Sequence, residues 1–260
     1  MRRPGWFAWT VTVFVVVCMI APMVVVIGVS FNPKAEMTLP TTELSLRWYA
    51  NAFQRDQFPR SVQLSFWLAS AATLFSLTIG MLCAIALSRF RFFGKGAVAT
   101  FFNSPLIVPQ VVLGMGFLVL LSQLGIVSSL VGLGILHAVL TLPYTIQVLT
   151  ASLARFPESL EESAVIHGAN RLVAFTRITV PCIKPGIVSA GIFAFVTSFE
   201  NFTASQFLVW DRTTLPVEIY AYATLETDPT VCAISAMLIM MTATIVVIAE
   251  RWIGLEAVTR

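Results

Sequence analysis

The residues able to do chemistry in this sequence are few and widely spaced: 13 Asp and Glu, 2 His and 4 Cys among 260 residues. Two carboxylates stand out. Glu162 lies in the polar stretch 155–185, RFPESLEESAVIHGANRLVAFTRITVPCIKP, with Ser163, Ala164 and Gly168 close behind it. Glu200, followed by Asn201, is the single charge in 185–210. A carboxylate deep in an apolar segment costs upward of ~2.5 kcal/mol, so it must face a bundle interior or water. There it would attract a cationic solute through a low-dielectric passage, or it would pair internally and only hold helices together.

Other chemistries lack their residues. Gly94-Lys95 is no phosphate-binding loop, because the leading Gly and the following Ser or Thr are missing; any nucleotide must be bound by another polypeptide. Hydrolysis needs a nucleophile beside a base, yet the only histidines are His137 and His167, and no G-x-S-x-G occurs. His137 is expected to hydrogen-bond to a neighbouring helix. Cys18, Cys83, Cys182 and Cys232 show neither C-x-x-C nor metal spacing and read as small apolar residues. No catalytic, cofactor or metal residues are assigned. The net charge of +3 is spread without a basic, aromatic-interleaved patch, so nucleic acid is not an expected partner.

These residues must be positioned by membrane-spanning helices. Hydrophobic residues make up 57% of the chain and charged residues 11%, against roughly 25% charged in soluble domains. Residues 4–33, 61–88, 96–154 and 229–249 carry no charge. A helix crosses the hydrocarbon core with about 20 apolar residues, so 96–154 must form two spans, turning near Gly125, Ser128 and Ser129. Six helices follow, near 7–31, 64–87, 98–123, 130–152, 186–208 and 231–253. The first, behind Arg2 and Arg3, is longer than a signal-peptide core and has no small-residue cleavage site; it is expected to be retained. Pro22, Pro105, Pro109 and Pro143 lie inside apolar runs and are expected to kink them. Such breaks survive at membrane depth when buried in protein or lining a cavity, which suggests a pathway between the third, fourth and fifth spans; ordinary packing by small residues is the alternative.

With six spans, Arg2, Arg3, Arg89, Arg91, Lys95, Arg155, Arg171, Arg177, Lys184, Arg251 and Arg260 share one side. Only Lys34, Arg47, Arg55, Arg60 and Arg212 fall on the other. Positive loops stay inside, so both termini are expected in the cytoplasm. On the outer side, Trp48, Tyr49 and Phe53 suggest an interfacial helix within 32–61. The stretch 155–185 then lies inside, and its residues predict two short helices. Ser159 and Glu162 form a capping-box pattern, Gly168 supplies a left-handed stop, Asn170 caps a second helix, and Pro181 ends it. Such an elbow is a rigid knob suited to a partner's groove.

Glu162-Ser163-Ala164, three residues, Gly168, nine residues, and Ile178-x-Val180-Pro181 resemble the coupling-loop signature of permeases of binding-protein-dependent ABC importers, E-A-A, G, I-x-L-P. Spacing agrees without a gap; Ser163 and Val180 depart from it. ASLARFPESLEESA, PLIVPQVVLGMGFLVLLSQLG and SFENFTASQFL look like the spermidine/putrescine-type branch, so the resemblance covers nearly the whole chain. It implies an all-α integral membrane protein of the type I ABC importer permease fold, one permease domain over 1–260 with cytoplasmic coupling segment 155–185, in a bacterial inner membrane. It implies that Glu162, Ser163, Ala164 and Gly168 dock onto a separate ATPase, where ATP and Mg reside. It also implies two ATPase subunits, a second permease, identical or paralogous, and a periplasmic binding protein. Glu200 and Asn201 would line passage of a cationic solute such as a polyamine; opines, amino-acid derivatives and organophosphonates are handled by similar permeases. A secondary transporter, which usually has two inverted halves, and an intramembrane hydrolase are rival readings with less sequence support.

Overall fold

A computed structural model of the chain describes residues 5–39, 43–126 and 130–253, and no strand occurs among them. Its helices are α1 (Trp6–Ser30), α2 (Arg47–Gln54), α3 (Gln57–Arg89), α4 (Lys95–Ile107), α5 (Gln110–Gln123), α6 (Leu130–Arg155), α7 (Ser159–Ile166), α8 (Arg171–Ala174), α9 (Val180–Cys182), α10 (Lys184–Phe199), α11 (Leu215–Leu225) and α12 (Thr230–Ile253). A π turn, Phe175–Thr179, joins α8 to α9, and a 3₁₀ turn covers Ser205–Phe207. Arg2, Arg3 and Arg260, used for orientation, and Ser128 and Ser129, expected at a turn, lie outside the described residues. Gly125 does turn the chain, with φ +70°.

Four helices, α1, α3, α6 and α12, are long and apolar enough to cross a membrane unaided. Two more candidates are bent pairs: α4 with α5, at 103°, and the α8–α9 stretch with α10, at 71°. The third span is therefore not the continuous helix expected over 98–123. Val108 is extended and Pro109, at φ −55°, precedes α5 as its cap. Proline forces its predecessor out of the helical region, and here the helix yields. Pro22, Pro105 and Pro143, by contrast, lie inside α1, α4 and α6.

The described residues form two compact units, one drawn from Met1–Arg60 and Glu218–Thr244, the other from Ser61–Val217 and Ile245–Arg260. The first holds α1, exposed and apolar over most of its length, and the helix α2 expected from its aromatic residues. Trp48 is buried and donates to the Asn32 carbonyl (2.6 Å), while Asn51 donates to Thr230 Oγ1 (2.8 Å). In the second unit, α3, α6 and α10 pack through small and hydroxylated side chains, as membrane helices do without a hydrophobic drive between them. A Cβ on Gly80 would stand 2.7 Å from Thr145 Oγ1. Ser76 and Thr141 hydroxyls meet at 2.7 Å, and Thr145 Oγ1 donates to the Ser76 carbonyl (3.1 Å). Below this seam Ala84, Leu149, Leu153, Phe156, Ile183 and Ala190 form a buried apolar cluster that carries the 155–185 segment.

Candidate coupling and passage sites

The elbow folds as two helices meeting at Gly168, but its first cap differs from expectation. Glu158, not Ser159, precedes α7 and makes no side-chain cap bond. The amides of Leu160, Glu161 and Glu162 donate to the carbonyls of Pro157 and Glu158, so the first-turn donors that Ser159 would have capped are already taken. At the other end the Gly168 N–H donates to the Val165 carbonyl (2.9 Å) and the Ala169 N–H to the Ala164 carbonyl (3.0 Å). With Gly168 at φ +95°, this is a Schellman closure, which favours glycine because a Cβ crowds the backbone there. Asn170 then caps α8, its Oδ1 accepting from the Leu172 N–H (3.0 Å).

The second helix does not stop at Pro181. It passes through the π turn and α9 and breaks at Ile183. Pro181 falls in the first turn after the π turn, where a missing N–H costs little.

Glu162, Ser163 and Gly168 are exposed and Ala164 is half-buried. Ser163 Oγ donates to the Ser159 carbonyl (2.7 Å). Ile166 and Leu172 project beside them, 82% and 69% exposed. A cleft of about 600 Å³ runs between the elbow and the end of α3, lined by Ile85, Phe90, Glu162, Ile166 and Leu172 among others. Polar residues around a projecting apolar pair make a surface that another protein can bury.

Glu161, unremarked in the sequence, does what its neighbour does not. Its carboxylate takes both nitrogens of Arg89 (3.0 and 2.7 Å) and the hydroxyl of buried Thr179 (2.6 Å). The Arg89 hydrogen bond, with smaller help from Thr179, holds the carboxyl below its ordinary value against the opposing effect of burial. The only sequence signals were an Arg ending an apolar run and a Glu pair in a first helical turn.

The passage candidates also sit differently. α10 ends at Phe199, short of the 208 expected, so Glu200 stands at the helix terminus, exposed, rather than in mid-helix. Asn201 is buried and explains the break. Its Oδ1 accepts from the N–H groups of Ala204 (3.2 Å) and Ser205 (3.2 Å) and from Ser205 Oγ (3.0 Å), and its Nδ2 donates to Gln110 Oε1 (3.1 Å). One side chain thus replaces the hydrogen bonds that a continuing helix would have made. His137, as expected, bonds to neighbouring elements. Nδ1 meets Ser198 Oγ (2.7 Å) and Nε2 meets Ser205 Oγ (3.0 Å), at 1% exposure. Because the Ser205 hydroxyl donates to Asn201, it accepts from the Nε2–H of a neutral imidazole, and Ser198 Oγ donates to Nδ1. Gly114 brings α5 against this knot, since a Cβ there would stand 2.9 Å from the Ala204 carbonyl.

A second polar group lies in the other unit. Asp228 accepts from the Tyr222 hydroxyl (2.8 Å) and the Thr230 N–H (2.8 Å), Arg55 stacks over the Tyr222 ring at 4.8 Å, and Arg47, Trp48, Asn51 and Glu226 help line a cleft of about 700 Å³. No group of metal-binding side chains occurs among the described residues.

The chain is similar to known transport proteins. The putrescine transport system permease protein PotI of Escherichia coli (strain K12) is 28% identical over 227 residues, 84% of this chain and 80% of the relative. The spermidine/putrescine transport system permease protein PotC of Haemophilus influenzae is 28% identical over 234 residues, 88% and 89% of the two chains. A solved bacterial ABC transporter involved in the import of the acidic polysaccharide alginate superposes with a TM-score of 0.73 over 97% of this chain and 99% of its own, at 15% identity, which speaks to fold alone. Residues 76–255 match the family described as binding-protein-dependent transport system inner membrane component; the chain belongs to that family, as a multi-pass permease subunit of a binding-protein-dependent ABC importer of the inner membrane.

Proposed function

We propose that this permease forms, with a second and paralogous permease, the pathway by which a small cationic solute of the polyamine class enters the cell. Two separate ATPase subunits dock on segment 155–185 through Glu162, Ser163, Ala164 and Gly168, and they hold the ATP and Mg. A periplasmic binding protein delivers the solute. The whole chain acts as one permease domain, with six crossings if each bent pair counts as one and with both termini in the cytoplasm; the excess of Lys and Arg on that side supports this orientation.

The observation that carries the reading is the elbow itself: a Schellman closure and an Asn cap fix two short helices around an exposed Glu, Gly and apolar pair. A partner that pushes on such a knob moves it as a rigid body. The polyamine class is supported by the names of PotI and PotC and by the carboxylate of Glu200 at the end of α10, where Asn201 keeps the helix from running on.

The complex, purified with its ATPases and reconstituted with the binding protein, tests this. Wild-type permease should bring the ATPase subunits with it and import putrescine or spermidine. Gly168→Trp should lose the ATPases. Glu200→Gln should assemble but import about tenfold less at sub-saturating solute, the loss of one ~1.4 kcal/mol attraction. ATPases retained by Gly168→Trp with normal uptake would end the docking assignment. Uptake of an opine or organophosphonate in place of a polyamine, indifferent to Glu200, would end the substrate assignment.

A further inference from the structure

The elbow is covalently continuous with α6 through Phe156–Glu158 and with α10 through α9. α3 has no such link, yet its last residue, Arg89, grips Glu161 with a two-pronged contact across 72 positions of sequence. The arrangement is directional. Arg89 ends α3, where a cation suits the negative end of the helix dipole, and Glu161 lies in the first turn of α7, where an anion suits the positive end. Thr179, in the π turn on the way to α10, binds the same carboxylate. Arg89 also lies 5.8 Å from the ring of Phe175 in that turn. One carboxylate therefore gathers three segments: the end of α3, the start of α7 and the π turn.

Side-chain exposures of 17% and 15% take this pair out of the class of screened surface ion pairs. For stability alone, apolar residues of similar size would serve as well, because desolvating charges offsets their attraction. A planar fork on a carboxylate adds fixed mutual orientation. The neighbouring carboxylates also divide: Glu161 turns inward to Arg89 while Glu162 stays on the exposed surface.

We propose that Arg89, Glu161 and Thr179 form a clamp that makes α3 travel with the elbow, so that a displacement imposed on α7 reaches a third span as well as the two to which the elbow is joined. These are positioning residues; none touches solute or nucleotide. Further along α3, about 14 to 20 Å from Arg89 at ~1.5 Å per residue, Gly80 and Ser76 lock onto Thr145 and Thr141 of α6. Beyond that seam Ser61 and Ser65 hold Thr213 and the Leu215 N–H. α3 is thus held near its inner end, seated in the middle, and attached on its far side to the segment that follows α10.

The inference rests on the reading of the elbow as the ATPase dock. Its test is the ratio of solute imported to ATP hydrolysed in the reconstituted complex, read together with ATPase co-purification. Arg89→Gln and Glu161→Gln should each keep the ATPases bound and hydrolysing while the ratio falls about fivefold, within the range by which single residues modulate coupling between sites. Exchanging the charges, Arg89→Glu with Glu161→Arg, should recover part of that loss, the helix ends opposing the rest, and a merely structural role would not require any recovery. Thr179→Val, nearly isosteric, should assemble even if the charge variants do not, and should lower the ratio about twofold. A wild-type ratio in the variants that assemble, or an exchange that recovers nothing, overturns the clamp. Failure of the wild-type permease to bring down any ATPase overturns the docking reading, and the clamp with it.

Discussion

The cluster at the elbow and the knot around His137 meet the same demand by opposite means. At the elbow, Arg89 and Glu161 are charged, partly reached by water, and joined by a two-pronged contact. In the knot, Ser198, His137, Ser205, Asn201 and Gln110 form an uncharged chain of hydrogen bonds among buried or half-buried side chains of α5, α6, α10, the 3₁₀ turn and the link between the last two. Outside the bilayer a charged pair keeps some solvation and its cost stays bearable. Inside, neutral donors and acceptors satisfy one another without that penalty. The difference teaches where each cluster is fragile: the knot to loss of any atom, the elbow to loss of charge.

His137→Ala should have the largest effect. It empties a fully buried position, strands the Ser198 hydroxyl and leaves Ser205 only its bond to Asn201, so thermal unfolding of the purified chain should report a loss of about 3 kcal/mol. A loss within error would mean that the serines find other partners and the knot is incidental. Asn201→Ala removes the acceptor for the backbone N–H groups of Ala204 and Ser205, just past α10, and should cost about 2 kcal/mol by the same measurement. Neither variant should respond to added salt differently from wild type.

The smallest effect belongs to pH. Glu161 is held below its ordinary value by Arg89, so its contribution is complete above the usual glutamate range and disappears as pH falls through the lower, folded value. Glu158, Glu162 and Arg171 line the same cleft; of these, Arg171 adds a favourable charge to Glu161. Stability followed from neutrality into acid should lose a term of about 1 kcal/mol or less that Glu161→Gln lacks. Identical acid limbs in the two proteins would show that the pair does not hold in solution.

Much of the fold could be read from charge-free runs, because a bilayer penalises charges so heavily that their absence marks the spans. α1, α3, α6 and α12 lie where those runs do. The elbow was readable because Gly168 and Asn170 act locally, through backbone conformation and a bond two residues away. Local reasoning failed where the partner was remote. Ser159 resembles a cap, yet nearby carbonyls had taken its donors. The end of α10 at Phe199 depends on Asn201 finding Gln110 from another span, which no window of sequence displays. Glu161 was overlooked beside the motif residue Glu162 because Arg89 is remote in the chain. α11 went unforeseen because Asp211, Arg212, Glu218 and Glu226 interrupt the apolar pattern around it.

The π turn at Phe175–Thr179 sets a tolerance on the length of the elbow. A π turn accommodates one residue more than an α-helical path of the same rise, and each residue of an α-helix advances about 100°. Deleting a single residue there would let the turn relax to α while swinging the hydroxyl now at Thr179 to another bearing. The nine residues between Gly168 and Ile178 therefore carry one residue of slack, and a chain shortened by one within the turn would keep α9 and α10 in phase while losing the hydroxyl that Thr179 aims at Glu161.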